Sequence, residues 1–315
     1  MVFAQHRGGG TLLARVLNRH PDVVIWGEHG GFINQLAEAD AVARQYAGTM
    51  LPRQEAVFAR FLSREAVADA NFDPWLSPIV SPDIAACARA TILDLFTRRV
   101  RQGQRWGFKE IRYHRPLVAR FLARLFPACR IVLLTRDPAE LCVSAILAPW
   151  SLDSLRARGA RHDVVEVMRI VEDCLYAAVA MQANMATIAN DLPANTFAVT
   201  YEAFTASPAT GIDVLLSFLV LEAAPPVRAA MLATAAAVAG ATDKQPPAAR
   251  GAADLPLLNA ELIRAVAASL LPRIRADIAG NGIDIARLRR LAGRGEYSFL
   301  MGDAPAIEPG CSAIF

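Results

Sequence analysis

Residues 7–11 read Arg-Gly-Gly-Gly-Thr and stand between an apolar stub, Val2–Gln5, and an amphipathic stretch, Thr11–Arg19. A strand, a glycine turn and a helix in that order make an anion site. The glycines let backbone N–H groups converge, and the helix N-terminus adds partial positive charge. Gly8, Gly9 and Gly10 supply the turn. Thr11 offers its N–H and its hydroxyl, and Arg7 can fold a forked donor set over the bound group. The nucleotide-hydrolysing pattern GxxxxGK[ST] is not met, because no lysine follows Gly10. The dinucleotide pattern GxGxxG also fails, since Leu13 stands where its third glycine belongs. Three glycines alone read equally well as a turn without a ligand.

Short β-branched or apolar runs alternate with longer helix-period segments along the chain. The expected strands are Val2–Gln5, Val23–Trp26, Trp106–Ile111, Arg130–Thr135 and Thr196–Thr200, short as the buried strands of parallel sheets are. Between them the pattern predicts helices over Thr11–Arg19, Gly31–Ala47, Arg53–Ala70, Ser81–Arg101, Pro116–Leu125, Pro138–Leu147 and Asp163–Ala189, and helices only after Ser207. Ser81, Pro82 and Asp83 form a start signal: a cap, a proline and an acidic first turn. The alternation predicts an α/β fold, a doubly wound and mainly parallel sheet of about five strands with a helical C-terminal part. Ligands of such sheets bind beyond the carboxyl ends of the strands. We expect one domain over 1–315: an α/β core (1–221), a helical part (222–300) and a tail (301–315). The proline-rich stretches 72–83 and 242–256 read as loops, the first a lid or substrate loop.

Composition bounds the remaining classes. Of 315 residues, 54% are hydrophobic, enough for a large core. A net charge of +3 is too mild to argue for nucleic acid. The five cysteines are scattered and odd in number, so reduced, mostly buried thiols of a cytoplasmic protein are expected. The five histidines form no ligand-like pair, so no metal is expected. Met1 leads almost at once into the glycine loop, so no signal peptide is expected. The longest apolar run, 229–242, is shorter than the roughly 20 residues of a spanning helix. The alanine and arginine content suggests a GC-rich bacterial genome. The oligomeric state is not legible.

The chain resembles the sulfotransferases that use 3′-phosphoadenosine 5′-phosphosulfate (PAPS), a bacterial or carbohydrate-type family with a fold like that of P-loop NTPases. Their 5′-phosphosulfate loop typically reads R/K-S-G-T/S-T after the first strand. Arg7 to Thr11 occupies that place here, with Gly8 for the serine and Gly10 for a Ser/Thr. "RIVLLTRDPAELCVSAI" (130–146) is similar to the family's 3′-phosphate segment, in which an arginine ends the strand and a serine follows eight residues later; here they are Arg136 and Ser144. A strand end and a point two turns into the helix folding back beside it can reach one phosphate. "WGFKEIRY" (106–113) and residues 197–221 resemble two further family segments.

The resemblance implies sulfonate transfer to a hydroxyl or amine of a small-molecule, lipid or carbohydrate acceptor. PAPS enters, 3′-phosphoadenosine 5′-phosphate (PAP) leaves, and no metal takes part. It implies a donor site made of Arg7, Gly8, Gly9, Gly10, Thr11, Leu12, Arg136, Ser144 and Tyr201. Arg7 and Lys109 are the electrophilic candidates, and Glu28 or, as rival, His29 is the base. Each has a plainer reading: Glu28 as a helix cap, Lys109 in a salt bridge to Glu110 or another carboxylate, Tyr201 as a core tyrosine. The family's C-terminal basic glycine loop matches either Arg250 or Arg294. The alternatives are a P-loop kinase of a nucleotide or small molecule, and an inactive nucleotide-binding protein of the same fold. Phe32, Ile33, Leu36, Phe72, Trp75, Leu76 and Trp150 favour an acceptor with an apolar portion.

Overall fold

A computed structural model describes residues 1–45, 81–157, 163–243 and 258–292. The chain divides into two compact units, Met1–Phe32 with Val100–Phe315, and Ile33–Arg99.

The larger unit is built on five strands: β1 (Val2–Ala4), β2 (Val23–Trp26), β3 (Arg105–Glu110), β4 (Ile131–Thr135) and β5 (Thr196–Thr200). Their order is β2-β3-β1-β4-β5, and every pairing is parallel. Parallel neighbours need a crossover, and helices supply it. The central strands are enclosed: Val2 to Ala4 and Ile131 to Leu134 are all buried, which is why they read as unbroken apolar runs. The chain leaves β1 toward the β2 edge and leaves β4 toward β5. The strand order therefore reverses between neighbours β1 and β4, and a crevice opens there at their carboxyl ends.

On one face lies α1 (Gly10–Leu17), with α9 (Pro208–Leu219) and α10 (Pro225–Asp243). Leu12, Leu13, Val16 and Leu17 of α1 pack in one cluster with Val2, Ala4, Val132 and Leu134 of the sheet and with Ile212, Leu215 and Met231. A second core joins α5 (Pro138–Ile146), α6 (Pro149–Ala157), α7 (Val164–Asp191), α11 (Ala260–Asn281) and α12 (Ile285–Ala292). In α7, Val167, Ile170, Val171, Cys174 and Ala178 are buried, the three- and four-residue spacing of one helix face. The remaining helices are α4 (Pro116–Leu125) and α8 (Tyr201–Ala206). Asp137 starts α5 as its side chain accepts from the N–H groups of Ala139 (3.0 Å) and Glu140 (3.1 Å), with Pro138 next.

The smaller unit contains α2 (33–45) and α3 (Ser81–Thr97). Ile33 and Ala37, and likewise Ala88, Ile92 and Phe96, are buried at four-residue spacing. Asp40 pairs with Arg44 at 2.9 Å.

Each expected strand is present within a residue at either end. α3 ends at Thr97, short of Arg101, and α6 was not expected. Cys142 and Cys174 are buried as expected, whereas Cys87 is exposed. The expected helix over 53–70, nearly all of both proline-rich loops, Arg250, Arg294, Phe72, Trp75, Leu76, Cys311 and the tail lie outside the described residues.

Candidate functional site

A cavity of about 320 Å³ is lined by Gln5, His6, Arg7, Gly9, Gly10, Thr11, Leu12, Glu28, Lys109, Ile111, Arg136, Ser144, Trp150 and Tyr201. Most follow the carboxyl end of a strand; Ser144 and Trp150 come from α5 and α6. Ten of the sequence-predicted residues meet in it. Gly8 and His29 do not line it.

The loop after β1 is shaped by backbone geometry. The N–H of Gly8 donates to the Gln5 carbonyl at 2.9 Å, and Arg7 is left-handed with φ 60°. Gly9 has φ +90°, and a Cβ there would lie 2.4 Å from Tyr201 Cδ2. A Cβ on Gly10 would meet Ala4 Cβ at 2.7 Å and Lys109 Cε at 2.8 Å. Both positions need glycine because Tyr201 and Lys109 press on the loop. Helix α1 starts at Gly10, so its first N–H groups have no acceptor within the helix.

Two guanidinium groups frame this loop. Arg7 Nε donates to Ser144 Oγ at 3.0 Å, and its Cζ lies 5.2 Å from the Trp150 ring centre. Arg136 lies 4.7 Å over Tyr201 and donates from a terminal nitrogen to the Arg7 carbonyl at 3.2 Å. Its backbone is fixed on both sides: its N–H donates to Gln5 Oε1 (2.8 Å), and its carbonyl accepts from Gln182 Nε2 (2.7 Å). The Arg136 Nε is buried without a hydrogen-bond partner. Among the described residues neither arginine pairs with a carboxylate. Burial, then the nearby Arg136, pushes the Arg7 pKa below its ordinary value. Beside them, burial and the charges of Arg7, Lys109 and Arg112 push His6 down to about 3, so its ring is neutral. That ring meets Trp150 edge-on at 6.0 Å.

The opposite wall carries the carboxylate. Lys109, 8% exposed, donates from Nζ to Glu28 Oε1; Glu28 is 37% exposed. Arg112 donates from one nitrogen to Glu28 Oε2 (3.3 Å) and to Glu110 Oε1 (2.8 Å). Lys109 thus pairs with Glu28 and not with its neighbour Glu110, as expected where successive strand residues point to opposite faces. His29 turns inward. Its Nε2 lies 2.7 Å from the Tyr113 hydroxyl, and its ring packs against Phe32, Phe108 and Tyr113. Its pKa is lowered, chiefly by burial.

Sequence reasoning did not single out Gln5, Arg112 or Glu110 as site residues. Gln5 acts on Arg136 across 131 positions, a relation that no local pattern carries.

The family described as "Sulfotransferase family" matches residues 1–225. No curated protein matches. Among solved structures, the sulfotransferase domain from the curacin biosynthetic pathway is 16% identical with a TM-score of 0.44, covering 72% of this chain and 75% of that one. A sulfotransferase from Alicyclobacillus acidocaldarius is 14% identical with a TM-score of 0.42, covering 75% of this chain and 93% of that one.

Proposed function

The chain belongs to the sulfotransferase family, and from this premise we propose that it moves a sulfonate group from PAPS to a hydroxyl or amine of a small-molecule, lipid or carbohydrate acceptor. The observation that carries the reading is the pair Arg7 and Arg136. Two guanidinium groups flank a glycine loop without a carboxylate partner among the described residues, and one holds a buried, unpartnered Nε. A charge pair of like sign needs an anion to offset it. The donor's phosphates fit that need, and the tight glycine cradle at Gly9 and Gly10 leaves backbone N–H groups for the same purpose.

In this reading Arg136 and Ser144 hold the 3′-phosphate. Arg7, Thr11, Leu12 and the start of α1 hold the 5′-phosphosulfate. PAPS supplies an activated sulfur whose bond to the phosphate oxygen breaks during transfer. Glu28 takes the proton from the acceptor oxygen as that oxygen bonds to sulfur. Arg7, Lys109 and the α1 N–H groups meet the charge left on the departing phosphate. We favour Glu28 over His29 as base because Glu28 lines the cavity while the His29 ring turns toward Tyr113. Trp150, 48% exposed and beside Arg7, favours an acceptor with a flat or apolar portion.

Calorimetric titration with PAP in EDTA, beside ATP, tests the reading. Binding of PAP without metal is expected, with ATP far weaker. ATP binding restored by Mg²⁺, without PAP binding, would favour a phosphoryl-transfer enzyme. Binding of neither would return the loop to a plain turn. With the donor site established, Glu28→Gln is expected to lower turnover at least about 100-fold while the PAP Kd stays within about twofold. Wild-type turnover in that variant would remove Glu28 as base.

A further inference from the structure

Glu110, the last residue of β3, is 0% exposed, yet both of its carboxylate oxygens are occupied by donors. Oε2 accepts the backbone N–H of His29 (3.0 Å) and of Gly31 (3.1 Å). Oε1 accepts the N–H of Ile111 (2.9 Å) and of Arg112 (3.3 Å), and an Arg112 guanidinium nitrogen at 2.8 Å. A buried carboxylate without partners would cost several kcal/mol, on the order of a full desolvation penalty. Burial pushes its pKa up, but the His29 N–H, the His29 ring and Arg112 outweigh that, and the net direction is down.

The arrangement matters because of what these donors flank. Glu28 lies directly before His29 in the turn that follows β2. It is held from the front by Lys109, while Glu110 holds the next residues of the turn from behind. The Arg112 nitrogen that reaches Glu110 also reaches Glu28. We infer that Glu110 is a positioning residue for sulfonate transfer: it sets where Glu28 stands, by anchoring the 27–31 turn through two N–H groups and by sharing Arg112 with it. Without Glu110, the N–H groups of His29 and Gly31 lose their acceptor, and the Arg112 nitrogen that Glu28 shares with Glu110 loses one of these two carboxylates. The Glu28 carboxylate, already paired with Lys109 and Arg112, is then displaced with its turn, whereas the Arg7–Arg136 half of the site, which Glu110 does not touch, is kept.

The inference rests on Glu28 as base, so its test carries Glu28→Gln as a control. PAP release from PAPS, with 4-nitrophenol as surrogate acceptor, gives kcat; calorimetry gives the PAP Kd; amide hydrogen exchange follows the 27–31 segment. Glu110→Gln is expected to lower kcat about 10- to 100-fold, as a displacement near 1 Å does. The PAP Kd should stay within about twofold, and exchange in 27–31 should quicken. Glu110→Asp, which keeps the charge on a shorter arm, should recover part of kcat. It also stands in if the Gln variant does not fold. Wild-type kcat in Glu110→Gln, or a PAP affinity that falls in step with kcat, would overturn the assignment. A Glu28→Gln control that turns over like wild type removes Glu28 as base, a wild type that releases no PAP overturns the proposed reaction, and the inference falls with either.

Discussion

Arg136 combines a guanidinium stacked on Tyr201 with a buried Nε that has no partner. Such a group is costly unless a ligand completes it. Arg136→Ala should therefore weaken PAP binding about 10- to 100-fold, the scale of a lost charge-assisted bond. Adenosine 5′-phosphosulfate, which lacks the 3′-phosphate, should lose little; equal losses for both ligands in calorimetry would contradict the assignment. His6 gives a second prediction at this scale. Its pKa falls from 6.5 to about 3 in the fold, first through burial and then through Arg7, Lys109 and Arg112. Between those values the unfolded chain binds the proton and the folded chain does not. Stability is full above about pH 6.5 and drains as the pH falls toward 3. Denaturant titrations should show about 2 kcal/mol of this loss between pH 7 and pH 5, and His6→Gln should remove it. An identical pH dependence in the variant would refute a neutral His6. Arg7, Glu28 and Arg136 were legible in the sequence because each lies next to a strand end or the glycine loop. Gln5 and Glu110, though also at strand ends, were not, since their roles rest on bonds that reach residues 79 to 173 positions away.

The loop and its helix behave as one element. Gly9→Ala places a methyl against the Tyr201 ring and asks an L-residue for φ +90°, a strain of about 1–2 kcal/mol before the clash is counted. Because Tyr201 also carries Arg136, the variant should lose thermal stability and PAP affinity together. A variant with unchanged affinity would show that the ring can move aside freely. The strands were legible to within a residue because buried parallel strands are short apolar runs bounded by polar residues, as in Ile131–Thr135. Helix α6 was missed: its first turn, Pro149-Trp150-Ser151, and its two buried leucines, Leu152 and Leu155, make too short a periodic signal.

At the scale of the whole molecule, the sheet order brings the Arg7 loop beside Arg136, two chain segments that meet only because β4 lies next to β1. Alternation of strands and helices was readable, but the order 2-3-1-4-5 was not, since pairing between distant strands leaves no local trace. The C-terminal helices share the core that holds α5, and Ile263 of α11 is 0% exposed there. Ile263→Ala should cost about 2–5 kcal/mol of stability and leave PAP binding by the folded protein unchanged; a loss of affinity at a temperature where the variant is fully folded would show that α11 reaches the donor site. The net charge of +3 is small, so affinity for the donor comes from local charge and should weaken with added salt less steeply than binding to an extended basic surface. Trp150 gives the molecule an optical reporter. Its indole lies under the Arg7 guanidinium and is half open to water. An anion that draws Arg7 off the ring changes the indole's surroundings, so its emission tracks occupancy without any label, and a stopped-flow instrument can time the arrival of the donor.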